Sequence, residues 1–203
     1  LYDDGHGNTS TQTQTVIVSD TTAPIPNLSS VPTITEQCSA TVIAPTATDN
    51  CSGIVTATTT SPFTYSEQGT YEITWTYNDG QGNIATQTQT VIIDDTTAPV
   101  ANITSLPTIS GQCSVTATPP SATDNCSGTI LGTTTDPLTY NTEGNYVITW
   151  TYTDAKGNSS TQQQTVAVND TFAPVADVTS LPTISEQCSA TITEIPTATD
   201  NCV

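Results

Sequence analysis

Cations are almost missing from this chain. Lysine and arginine together number one, Lys156, and there is one histidine, His6, against 19 Asp and Glu, for a formal net charge of −18 over 203 residues. Nothing here can neutralise phosphates, so nucleic acid is excluded as a partner, and an anionic membrane surface is disfavoured for the same reason. Methionine is absent and leucine scarce, so the residues that favour helices are few. No run of 18 or more apolar residues occurs, so no membrane insertion is expected. The opening "LYDDGHGN" holds no basic or apolar leader. With a single histidine there is no Ser/His/Asp set, and neither a GxSxG elbow nor a phosphate loop occurs. Paired carboxylates serve glycosidases, but a glycosidase does not repeat its site in small similar modules. The chain is expected not to be an enzyme.

What the chain does have is threonine, 47 of them, a β-branched residue suited to a half-solvated pleated surface. Low hydrophobicity with high charge can mean disorder. Regular cysteines and alternating aromatic strands oppose that reading.

The organising feature is a repeat of 75 residues. Pro24, Pro99 and Pro174 keep the period, as do Cys38, Cys113 and Cys188, Trp75 and Trp150, and Cys51 and Cys126; Cys202 comes one residue late. A fixed period determines architecture, so it is read first. Residues 1–19 are the tail of a preceding repeat, 20–94 and 95–169 are complete repeats, and 170–203 begin a following one. The chain reads as a window on a longer tandem array.

In "TYEITWTYND", Tyr71, Ile73, Trp75 and Tyr77 fall on one face and Glu72, Thr74 and Thr76 on the other. "YVITWTYTD" repeats the pattern with Tyr146, Ile148, Trp150 and Tyr152. Turns "DDGHGN", "NDGQGN" and "TDAKGN" precede the first three "TQTQTVIV"-type strands. About seven short strands per 75-residue repeat, with no helical period, predict an all-β chain of tandem small antiparallel immunoglobulin-like β-sandwiches. The tryptophan would anchor each core.

The six cysteines fall two per repeat, and an even number at fixed spacing predicts disulfides and an oxidising, extracellular setting. One disulfide per repeat is expected: Cys38–Cys51, Cys113–Cys126 and Cys188–Cys202. Zinc is the rival, but no CxxC occurs and histidine is nearly absent.

Acidic residues also recur: a junction Asp, the Asp of "TDN", and the Asp of the glycine-rich turn. Sandwich topology brings such loops to one pole. The candidate Ca²⁺ ligands are therefore Asp20, Asp49, Asn50, Asp79 and Asn83 in one repeat. The next repeat offers Asp95, Asp124, Asn125, Asp154 and Asn158, with Asp94 and Asp170 at the junctions. Clustered oxygen ligands suit a hard cation. The alternative is that they are ordinary turn formers and solubilising surface.

The combination "DTxAP", "PTATDNCSG" and "GTYxITWTYxDxxGNxATQTQTVxI" resembles hyalin-repeat (HYR) and HYR-like immunoglobulin-type modules, tandem repeats of large secreted bacterial adhesins and surface fibres. The resemblance covers essentially the whole chain. It implies an immunoglobulin-like sandwich working in adhesion or as an extracellular stalk, with no catalytic residues. Glu36 and Glu186 precede Gln-Cys, but Gly111 stands there in the middle repeat, so no general role attaches to that position. Glycosylation is a further expectation, at Asn27 and Asn102 in Asn-x-Ser/Thr sequons and at Thr21, Thr96 and Thr171.

The expected role is a structural segment of a long extracellular adhesin or filament, stiffened by disulfides and Ca²⁺. Its partners would be neighbouring repeats, other copies in a filament and surface glycans. Two alternatives stand beside it: a ligand- or glycan-binding module, and a passive spacer of a larger secreted enzyme.

Overall fold

A computed structural model describes residues 1–192 and 195–202. No helix occurs among them. The chain divides into two compact units, Leu1–Asp94 and Asp95–Val203.

The first unit contains β1 (Tyr2–Asp3), β2 (Thr9–Ser10), β3 (Ile25–Pro26), β4 (Ile34–Glu36), β5 (Ala40–Thr41), β6 (Thr46–Asp49), β7 (Gly53–Thr56), β8 (Thr64–Tyr65), β9 (Gly69–Asn78) and β10 (Ile84–Ile93). One sheet runs β3-β6-β7, the facing one β4-β10-β9, and β5 pairs with β8. β9 buries Ile73, Trp75 and Tyr77 completely, as its alternation predicts. They pack with Ala47 and Val55 of the opposite sheet and with Val91 and Ile93 of β10. Phe63 meets Trp75 edge to face, with ring centroids 5.8 Å apart. This is the expected small β-sandwich.

One feature departs from a purely antiparallel sandwich. β4 runs parallel to the end of β10, Ile34 opposite Val91, while β3 just before it pairs antiparallel with β6. The opening segment of the repeat thus crosses from one sheet to the other between Pro26 and Ile34. Each half covers a different edge.

The second unit repeats the plan. It contains β11 (Val100–Ala101), β12 (Ile109–Gly111), β13 (Val115–Thr116), β14 (Ser121–Asp124), β15 (Gly128–Leu131), β16 (Thr139–Tyr140), β17 (Gly144–Thr153), β18 (Ser159–Val168), β19 (Val175–Ala176) and β20 (Ala198–Thr199). Ile148, Trp150, Tyr152, Val166 and Val168 form its core. β12 again runs parallel to the end of β18, Ile109 opposite Val166.

The within-repeat disulfides do not form. Cys113 is bonded to Cys202, 89 residues on, with Cα atoms 4.9 Å apart. Cys38 and Cys126 are also disulfide-bonded, while Cys51 and Cys188 are free and exposed. Cys38–Cys51, Cys113–Cys126 and Cys188–Cys202 are thereby overturned. The reason is geometric. Cys113 follows β12, which lies against the last residues of β18, at the trailing pole of its sandwich. Cys126 follows β14, which pairs with Val100 at the leading pole. The ten residues of β18 separate the poles, about 30 Å at the rise of a strand. A disulfide needs Cα atoms within roughly 7 Å. The 12 residues between the cysteines, read from sequence as a hairpin-like loop, instead hold β13 and β14 and run the length of the sandwich.

Candidate functional site: the acidic pole

In the first unit the leading pole gathers Asp20 from the incoming chain, Asp49 from the end of β6 and Asp79 from the β9–β10 loop. One carboxylate oxygen of each lies within 4.8 Å of the others. Asp49 and Asp79 are buried, at 5% and 8% exposure.

Each is held by its own turn. Asp49 Oδ1 accepts from the backbone N–H of Cys51 (2.9 Å) and Ser52 (2.8 Å). Asp79 Oδ1 accepts from the N–H of Gln81, Gly82 and Asn83 at 2.7–3.1 Å. That wrap needs Gly82 in the left-handed region, φ +106°. The Asn83 amide donates to Asp79 Oδ2 (2.6 Å) and to the Asp20 carbonyl (3.3 Å), tying loop to incoming chain. Ser52 Oγ donates to the Asp79 carbonyl at 2.7 Å, tying the two loops together.

Burial opposes ionisation of Asp79, but the Asn83 amide and the three backbone N–H groups outweigh it and hold its carboxyl below the usual range. Asp154, wrapped by Asn158, Gly157 and Lys156, is lowered in the same way against its own burial. Burial, and then the charge of Asp20, push the neighbouring Cys51 thiol up.

Two oxygens stand out. Asp20 Oδ2 and Asp49 Oδ2 are buried with no hydrogen-bond partner. A buried carboxylate oxygen left unpaired is costly, more so beside other carboxylates. The donor set is all oxygen, and its open valences belong to two members of one cluster. These residues fit a hard cation such as Ca²⁺.

The other predicted ligands fall differently. Asp95 and Asp124 come together at the leading pole of the second unit, 2% and 4% exposed. Their third neighbour is Cys126, whose sulfur is already committed to a disulfide. Asp124 Oδ2 is again buried without a hydrogen-bond partner. Asp154 and Asn158 adjoin this group through Asn158, which donates to the Asp95 carbonyl at 3.0 Å. Asp170 is half-buried beside Asp200 and the bonded Cys202. Asn50 and Asn125 aim their amide nitrogens at Cys51 and Cys126 Sγ, 3.2 and 3.1 Å. Asp94 is exposed at the trailing end, its N–H on the Glu36 carbonyl.

Of the proposed glycan acceptors, Thr21, Thr96 and Thr171 are exposed. Asn27 and Asn102 are exposed too, but their amides are engaged by the adjacent strand. Asn27 donates to Thr46 Oγ1 and accepts from Thr48 Oγ1, each at 2.8 Å. Asn102 does the same with Ser121 and Thr123. Asp177 takes the equivalent place against Thr197 and Thr199.

Sequence reasoning missed the glutamines. Trp75 Nε1 donates to Gln89 Oε1 (3.0 Å), and Gln89 Nε2 donates to the Pro32 carbonyl (2.9 Å). Tyr77 Oη donates to Gln87 Oε1, and Gln87 Nε2 to the Leu28 carbonyl. Gln164 and Gln162 repeat both clamps on Trp150 and Tyr152. The signal was parity, since Gln87 and Gln89 alternate in phase with Val91 and Ile93.

Fold and pole together define a tandem β-sandwich repeat with an acidic leading end. Residues 97–168 match the family described as "HYR-like domain with 4 cysteines"; the matched segment holds two, Cys113 and Cys126. The chain is similar to hyalin of Strongylocentrotus purpuratus, 35% identical over 215 residues, covering 93% of this chain and 18% of hyalin. These two matches support a hyalin-repeat relationship. The chain therefore spans about a fifth of that relative's length. Among solved structures it is similar to the protocadherin GammaB4 extracellular domain (TM-score 0.37, 15% identity, 76% of this chain and 34% of that one). It is also similar to protocadherin Gamma B2 cadherin domains 1–5 (TM-score 0.34, 15% identity, 87% and 46%).

Proposed function

We propose that this chain is an extracellular, adhesion-type structural segment, a run of sandwich repeats that spaces and stiffens a longer assembly and performs no catalysis. The observation that supports it best is the near-identical rebuilding of the same clamps and the same glycine-rich acidic loop in both sandwiches. A dedicated binding or catalytic module diverges from its neighbours; a spacer has no reason to. The likeness to hyalin points the same way. Partners would be neighbouring repeats and other copies. Electron microscopy of the native material is the test: long beaded filaments are expected, and dispersed compact particles would contradict the reading.

Within that role, Asp20, Asp49 and Asp79 would hold Ca²⁺, fastening the incoming chain to two loops of the sandwich. The carrying observation is the unpaired, buried Oδ2 of Asp20 and Asp49. Three carboxylates on an extracellular module imply a Kd of about 0.1–1 mM. Ca²⁺ at ten to a hundred times Kd would stabilise the fold by about 1.4–2.7 kcal/mol. Thermal melting with Ca²⁺ and with EDTA reads this, and Asp49→Asn should remove most of the difference. Equal melting temperatures in both buffers would sink the calcium assignment.

A further inference from the structure

The Cys113–Cys202 bridge joins a trailing pole to a turn 89 residues later, in the repeat that follows. Both halves of that joint recur. The first half is Gln-Cys after the crossing strand, at Gln37-Cys38, Gln112-Cys113 and Gln187-Cys188. Gln112 Oε1 accepts from the Thr171 N–H at 2.9 Å and its Nε2 donates to Thr171 Oγ1 at 3.0 Å, holding the outgoing chain beside the cysteine.

The second half is Asp-Asn-Cys. In all three copies the Asp Oδ1 accepts from the cysteine N–H at 2.9 Å. In all three the Asn amide lies over the cysteine sulfur, 3.2, 3.1 and 3.1 Å away. At the bridged copy that amide also reaches Cys113 Sγ, 3.4 Å. The turn at Cys51 therefore has the local geometry of the turn bridged at Cys202, yet Cys51 is an exposed residue outside any disulfide. Cys188 is the first-half cysteine in the same condition.

We propose that the disulfides of this chain form a ladder in which the first cysteine of one repeat bonds the second cysteine of the next. Cys188 and Cys51 are its two open ends, each built to take a further repeat carrying the complementary cysteine. The joint is heterologous, donor pole to acceptor turn, so it propagates rather than closes. Oxidation needs a disulfide donor of low molecular weight. One thiol displaces half of that donor to give a mixed disulfide. The complementary thiol then attacks the protein sulfur and releases the other half. Two protein thiols and one donor disulfide become one protein disulfide and two small thiols.

The test uses the 203-residue chain, with a second copy of itself as the incoming repeat. Alkylation and peptide mapping of the untreated protein should place label on Cys51 and Cys188 and find Cys113 linked to Cys202. With oxidised glutathione, non-reducing electrophoresis should show a series of multimers, and mapping should show Cys188 of one copy joined to Cys51 of another. Cys51→Ser and Cys188→Ser should each remain monomeric, taking up glutathione alone, while a mixture of the two yields dimers. Both positions are exposed and unbonded, so circular dichroism should show each variant folded. Linkage of Cys113 to Cys126 or Cys188 to Cys202 in the starting protein would overturn the ladder. So would Cys188–Cys188 dimers forming as readily as mixed ones, or multimers absent after oxidation.

Discussion

At the scale of single residues, the most informative side chains are polar ones in the core. Gln89 is 5% exposed and joins Trp75 Nε1 to the Pro32 carbonyl. Shortening it strands the buried Trp75 Nε1 donor, worth about 1–3 kcal/mol when left unpaired, while the carbonyl of the exposed Pro32 can turn to water. Gln89→Ala should therefore cost about 1–3 kcal/mol in a denaturant titration, below the roughly 3–5 kcal/mol of Trp75→Ala. A cost near that of an ordinary surface substitution would show that Gln89 is not the clamp. Asp79 gives a pH prediction. Its folded pKa is depressed, against burial, by Asn83 and backbone N–H groups. The stability it contributes is present above the unfolded carboxyl value of about 4 and is lost as pH falls through the lower folded value. Asp79→Asn should be destabilised relative to the parent at pH 7, and the gap should narrow steadily below pH 4.

At the scale of elements, the long hairpins and their loops set the pole. Gly82 and Gly157 both sit in the left-handed region, at φ +106° and +101°. The preceding loop position is Gly80 in one repeat and Ala155 in the other. Only the second glycine is thus common to both loops. Gly82→Ala should cost about 1–2 kcal/mol from backbone strain alone, and it should weaken any Ca²⁺ response by loosening the wrap on Asp79; an unchanged melting curve would contradict this.

Much at this scale was legible. Alternation in "TYEITWTYND" identified the buried face of β9 residue by residue, because a half-buried strand must alternate. The Asp20–Asp49–Asp79 neighbourhood was named from loop topology, and the structure places those three together. The parallel register of Ile34 with Val91 was not legible, since a three-residue strand leaves no period to read. Cysteine pairing was misread because a spacing in sequence says nothing about which pole each sulfur occupies. The buried glutamines were passed over because their letters are polar, although their parity matched the core.

At the scale of the whole molecule, charge dominates. A net charge of −18 with one Lys or Arg means that acidic groups find almost no intramolecular counter-charge. Self-repulsion then opposes the compact state. Raising ionic strength from about 0.01 M to about 0.15 M shortens the Debye length from roughly 30 Å to roughly 8 Å. The melting temperature should rise over that interval, the reverse of what a protein held by surface ion pairs shows. Screening of this kind is indifferent to which cation supplies it. A site built by Asp20, Asp49 and Asp79 is not, since Mg²⁺ demands tighter octahedral geometry and keeps its water. Ca²⁺ should therefore raise the melting temperature beyond Mg²⁺ at matched ionic strength, and Asp49→Asn should bring the two curves together. Should Ca²⁺ and Mg²⁺ act equally on the parent chain, the whole response is screening, and the acidic pole contributes to it only as part of the −18.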